Sequence, residues 1–104
     1  VIVPSAPESY RHIYQMYTIR VKGRVSLRNG LKEYLNSKGI MARVYFPPVH
    51  LSNFYKKTFG YKEGSLPTSE KVSSEVLTLP MYPELSRKEM DYIVQEVKKF
   101  FREK

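Results

Sequence analysis

The chain has 104 residues, no cysteine, and 18 Lys+Arg against 10 Asp+Glu, for a formal net charge of +8. These residues fit one domain. The missing thiols exclude disulfides and thiolate metal sites, and no apolar run approaches the roughly 20 residues of a membrane-spanning helix.

Residues 1–9 contain Pro4 and Pro7 and read as an extended lead-in to a single small domain over 10–104. They show neither the basic start nor the long apolar stretch of a signal peptide. The chain opens on Val1 instead of methionine, as a processed product or an excised piece of a longer protein does. From Tyr10 to Val21 aromatic and β-branched residues alternate with period two, which predicts an inner strand ended by Gly23. Leu27, Leu31 and Leu35 then repeat every four residues, predicting a helix over 25–37. Gly30 weakens its interior by up to about 1 kcal/mol relative to Ala, and Gly39 stands where a left-handed cap is expected. A second strand is predicted over Ile40 to Phe46, stopped by Pro47-Pro48. Leu51 to Phe59 reads as a short helix with Leu51, Phe54, Tyr55 and Phe59 inward, followed by a loop over Gly60 to Gly64. Pro67 opens another short helix, to Val76, and Leu77 to Leu79 reads as a short strand closed by Pro80 and Pro83. Ser86 and Glu89 form a capping box ahead of Met90, Ile93, Val94, Val97 and Phe101 at helical spacing. The order β-α-β-α-α-β-α predicts a two-layer α/β domain, with a small, mostly antiparallel sheet covered by helices.

The chemistry-bearing inventory is thin. The basic excess lies in residues 1–52, in Arg11, Arg20, Lys22, Arg24, Arg28, Lys32, Lys38 and Arg43. It can attract nucleic acid, anionic lipid or a phosphorylated ligand, or serve as a solvated face or one that meets an acidic neighbour. There is one Asp, Asp91, and most Glu fall in patterns that read as helix surface, a poor stock for acid–base catalysis. Two histidines without cysteine do not suit a protein-only zinc site. His12 reads as a packed or edge residue of the first strand. His50, in a rigid loop just past a strand, is open to a ligand or substrate role as well as a structural one. No P-loop, nucleophile elbow or Gly-x-Gly-x-x-Gly run occurs, and no lysine sits in an obvious apolar pocket. The Tyr10–Lys22 segment interleaves aromatics with cations but lacks the pattern of an RNA-recognition strand.

Four separated segments share one further pattern. They are His12-x-Tyr14-x-Met16-Tyr17-x-Ile19-Arg20, with Arg24, Leu27 and Leu31 behind it; Gly39-Ile40 leading to Val44-Tyr45-Phe46-Pro47-Pro48-Val49-His50; Phe59 to Glu70; and Glu75 to Ser86. Together they resemble the C-terminal part of the DegT/DnrJ/StrS sugar aminotransferases, which are fold-type-I pyridoxal-phosphate enzymes. The resemblance implies the small domain of a cytoplasmic, homodimeric transferase of nucleotide-sugar and polysaccharide biosynthesis. Such an enzyme moves an amino group, with glutamate the expected donor, to a nucleotide-linked keto-sugar. The cofactor lysine and the acid that pairs with the pyridine nitrogen belong to the large cofactor-binding domain, the implied partner. Neither motif is present here, so no catalytic residue is expected in this chain and it should not transaminate alone. The resemblance places His50 beside cofactor and sugar nucleotide as a positioning residue, with Tyr45 the second cleft residue. Arg20 and Arg24 are read as structural or phosphate-attracting. Two departures stand out: Val25 after Arg24, where the family often has an acid, and Leu51-Ser52 after His50, where it often has Gln. The alternative from the residues alone is a free-standing basic module that binds nucleic acid or protein; membrane and nucleic acid are not the expected partners.

Overall fold

The computed structural model describes all 104 residues. Strand β1 spans Tyr17–Arg20, helix α1 Val25–Ser37, helix α2 Asn53–Phe59, helix α3 Pro67–Glu75, strand β2 Val76–Leu79 and helix α4 Arg87–Arg102; a 3-10 turn, Val49–Leu51, precedes α2. β1 and β2 pair antiparallel, with Tyr17 opposite Leu79 and Arg20 opposite Val76. Single bridges extend the sheet on both sides, Ile2 to Arg20 and Arg43 to Thr78, both antiparallel. The predicted small antiparallel sheet is therefore present, but its strands are shorter than the sequence pattern predicts.

Each shortening has a physical cause. Around Arg43 the register sets Tyr45 opposite Val76 and Met41 opposite Pro80. Pro80 has no N–H to give. The Val76 N–H bonds back to the Val72 carbonyl, and its carbonyl accepts from Arg28 Nη1 at 2.8 Å. The strand predicted over 40–46 thus collapses to one bridge. On the other side Pro4 falls opposite Thr18 and ends the lead-in's pairing in the same way. The strand predicted over 10–21 begins only at Tyr17. Tyr14 adopts a left-handed φ of 49°, and its N–H bonds the His12 ring at 2.8 Å. This local bond competes with a ladder. His12 consequently lies exposed, stacked on Tyr14, and is not packed on a strand face.

α1 ends as its sequence predicts. Gly39 has φ 80°, its N–H reaches the Asn36 carbonyl, and the Ile40 N–H reaches that of Leu35. This is a Schellman cap, and Leu35 and Ile40 complete it by packing together in the core. α4 opens with the predicted capping box, Ser86 accepting from the Glu89 N–H and Glu89 from the Ser86 N–H. The core lies between the sheet and helices α1 and α4. Ile19, Val21 and Leu77 from the sheet meet Leu31 and Leu35 of α1 and Ile93 and Phe100 of α4. Met90 and Val94, grouped by spacing with the inward face of α4, remain exposed. Phe100 packs over Gly30 with room for a side chain: a Cβ there would sit 3.5 Å from its ring, an ordinary contact. Tyr34 Oη donates to Glu96 at 2.7 Å, and Tyr92 Oη to the Lys38 carbonyl at 2.9 Å, tying α4 to α1.

α2 departs most from expectation. It buries none of its residues; Phe54 and Phe59 are 64% and 61% exposed instead of inward. No helix is long and apolar enough to cross a membrane.

Candidate functional site

Pro47-Pro48 ends extended pairing, and the chain turns at once: Leu51 N–H bonds the Pro48 carbonyl and Ser52 N–H that of Val49, both at 3.1 Å. The turn drives His50 inward, to 6% exposure. Its Nε2 lies 3.2 Å from Glu70 Oε2, and its ring meets Tyr61 edge-on at 5.8 Å.

Glu70 is the hub of this corner. It sits in the first turn of α3, and its carboxylate also accepts the Gly64 N–H at 2.8 Å and the Leu66 N–H at 2.9 Å. These bonds hold its carboxyl below the usual range. The Gly64 N–H is the largest cause; Leu66 and His50 add to it, and desolvation opposes it. A carboxylate only accepts, so Nε2 of His50 carries the hydrogen. Nδ1 makes no hydrogen bond, yet no fully buried side-chain nitrogen or oxygen lacks a partner. Nδ1 therefore reaches the surface. It accepts a hydrogen bond when the ring is neutral and donates one when the ring is charged.

Tyr45 sits elsewhere. Its ring tilts against Phe46 at 4.9 Å and separates two grooves. One, of about 370 Å³, is walled by Phe46, Thr68, Ser69 and Val72; the other, of about 410 Å³, by Met16, Met41, Arg43 and Tyr82. His50 borders neither. Neither of these two grooves brings Tyr45 and His50 together.

The basic residues divide. Arg20 donates from Nε and Nη2 to Glu75 Oε2 at 2.9 and 2.6 Å, and Glu75 is buried. Arg28 is buried as well, and desolvation lowers its pKa from the ordinary value. Its Nη1 donates to the carbonyls of Ser73 and Val76, and its Nε to Asn29. It satisfies the C-terminal turn of α3, where a cation also suits the helix dipole. Arg24 precedes α1 and its side chain caps nothing. Arg20 and Arg28 are thus structural, and the basic face is weaker than the count of cations implies. Glu70 and Glu75 are the exceptions to the reading of most glutamates as helix surface. The signal for Glu70 was local: Leu66-Pro67 followed by an acid in the first turn is a capping pattern. Nothing local marks Glu75.

No three His, Asp or Glu side chains converge as a metal site would require. Pyridoxal phosphate, which the resemblance implies, needs an amine to carry it and an acid for its ring nitrogen. No lysine of the chain is buried, and the one buried carboxylate, Glu75, is committed to Arg20. The residues present do not fit the group, and no step through it arises within this chain.

The DegT/DnrJ/EryC1/StrS aminotransferase family model matches residues 1–98. The chain is 40% identical over 103 residues to a pleiotropic regulatory protein of Geobacillus stearothermophilus, covering 98% of this chain and 26% of that protein. It is 28% identical over 99 residues to the dTDP-3-amino-3,6-dideoxy-alpha-D-galactopyranose transaminase of Aneurinibacillus thermoaerophilus, covering 94% and 25%. The crystal structure of a DegT DnrJ EryC1 StrS aminotransferase from Brucella abortus superposes with a TM-score of 0.78 at 35% identity, covering 95% of this chain and 26% of that one. The chain therefore spans about a quarter of the length of these relatives, and it belongs to the DegT/DnrJ/EryC1/StrS aminotransferase family.

Proposed function

We propose that these residues, as a lead-in over 1–9 and a domain over 10–104, form the C-terminal domain of a pyridoxal-phosphate-dependent aminotransferase. The enzyme acts on nucleotide-linked keto-sugars as a cytoplasmic homodimer. The observation that carries this reading is the family match over residues 1–98, a quarter of its relatives' length, joined to the absence of any buried lysine. The large cofactor-binding domain supplies the chemistry, and this chain alone is inactive. His50 positions substrate or cofactor through Nδ1 while Glu70 holds Nε2. Tyr45 lines the cleft from a second side. Such roles move no proton in the reaction, so His50 acts on affinity and leaves the pH profile of kcat in place.

The test uses the polypeptide at the length its own gene encodes. Incubated with pyridoxal phosphate, glutamate and a panel of nucleotide-linked keto-sugars, it should yield 2-oxoglutarate and an amino sugar, whereas this chain alone should yield neither. His50→Asn should raise KM for the sugar nucleotide by about tenfold or less, the loss expected for one hydrogen bond, and leave the pH profile of kcat in place. Turnover by the isolated chain, or none by the natural polypeptide, sinks the reading.

A further inference from the structure

We propose that the aromatic face around α2 is a docking surface for an apolar, carboxylate-rimmed part of the same enzyme outside these 104 residues. This rests on the reading of the chain as one domain of a longer aminotransferase. α2 is seven residues long, buries none of them, and has the Val49–Leu51 turn as its one substantial neighbour. Isolated helices shorter than about 12–15 residues are marginal in water, so a helix this short needs packing that the rest of this chain does not give. What it offers instead is a connected run of aromatic rings. Phe54 meets Tyr55 at 5.3 Å, Tyr55 meets Phe59 at 5.6 Å, and Phe59 meets Tyr61 at 6.3 Å. Phe46 and Val49 stand exposed on the same stretch of chain.

The whole chain exposes 7906 Å², against about 6,100 Å² for a compact monomer of this mass; residues 1–16, all exposed except Pro4, share that excess with the α2 face.

Charge selects the occupant. Val49 to Lys62 carries Lys56, Lys57 and Lys62 and no carboxylate. A second copy of this surface would bring three more lysines to the contact, within a domain of net charge +8. Like charges across an interface oppose association, so the complement is apolar with an acidic rim. The relatives supply such a body in length, since three-quarters of each lies outside the matched region.

The experiment places a benzophenone amino acid at Phe54, and separately at Phe59, in the natural-length polypeptide. Photolysis and peptide mass spectrometry follow, alongside hydrogen exchange of residues 53–62. The expected result is a cross-link to a segment outside these 104 residues that is rich in Asp and Glu, with the α2 amides protected. Cross-links confined to these 104 residues, within one copy or between two isotope-marked copies, overturn the proposal, as does a partner segment without acidic residues or an unprotected α2. Transamination by the unsubstituted polypeptide is scored independently. Activity without the cross-link refutes the docking surface alone, and absent activity refutes the functional reading.

Discussion

Replacing Arg28 by methionine tests whether one buried cation joins α1 to both α3 and β2. The guanidinium gives Nη1 to the Ser73 and Val76 carbonyls, at 3.0 and 2.8 Å. Of the last four carbonyls of α3, Val72 is bonded by Val76 and Glu75 by the Val21 N–H. Ser73 relies on Arg28. Methionine fills much of the space and donates nothing. Two partly buried carbonyls left unpaired cost about 1–3 kcal/mol each when burial is complete; partial access to water lowers the sum to about 2–4 kcal/mol. Against a domain stability of about 5–15 kcal/mol this is a large loss. Urea unfolding followed by far-ultraviolet circular dichroism measures it as a fall in midpoint at unchanged slope. Arg28→Lys, which keeps a donor for the carbonyls and forfeits the bond to Asn29, should fall between. Arg24→Met, at an exposed side chain that caps nothing, should stay within about 0.5 kcal/mol. If Arg28→Met also stays within about 0.5 kcal/mol, the carbonyls find other donors and the reasoning fails.

Three further outcomes are expected. Gly30→Ala should stabilise by up to about 1 kcal/mol, because the added Cβ meets Phe100 at 3.5 Å, an ordinary contact; a lowered Tm would show that α4 cannot accommodate it. Glu70 titrates below its ordinary 4.5 in the folded chain, so its contribution is present above that pH and lost as pH falls through the folded value. Acid unfolding curves of the wild type should therefore steepen below pH 4.5, and those of Glu70→Gln should lack this component. Tyr34, hydrogen-bonded to Glu96, is pushed up to about 12. Its contribution is full below pH 10 and disappears as pH rises toward 12. In a spectrophotometric titration of the nine tyrosines, Tyr34→Phe should remove the latest-ionising one.

The sequence by itself determined the features whose cause lies within one or two turns. Leu27, Leu31 and Leu35 specified α1, Gly39 its cap, and Ser86 with Glu89 the start of α4. Pro47-Pro48 marked the end of extended pairing and the loop that carries His50. The four motif segments located the family, since spacing survives where contacts cannot be read. The tertiary structure alone decided the length of the strands and the surroundings of the site residues. The sheet joins segments some sixty residues apart, so its extent depends on register. That register set Pro80 against Met41 and Pro4 against Thr18, and it left the Val76 carbonyl to Arg28. Glu70 lies twenty residues beyond His50, and period and propensity carry no information over that distance. The same holds for α2. Its amphipathic pattern is real, but a pattern states only that a face is apolar. Which body covers that face is settled by packing, and within these residues nothing does.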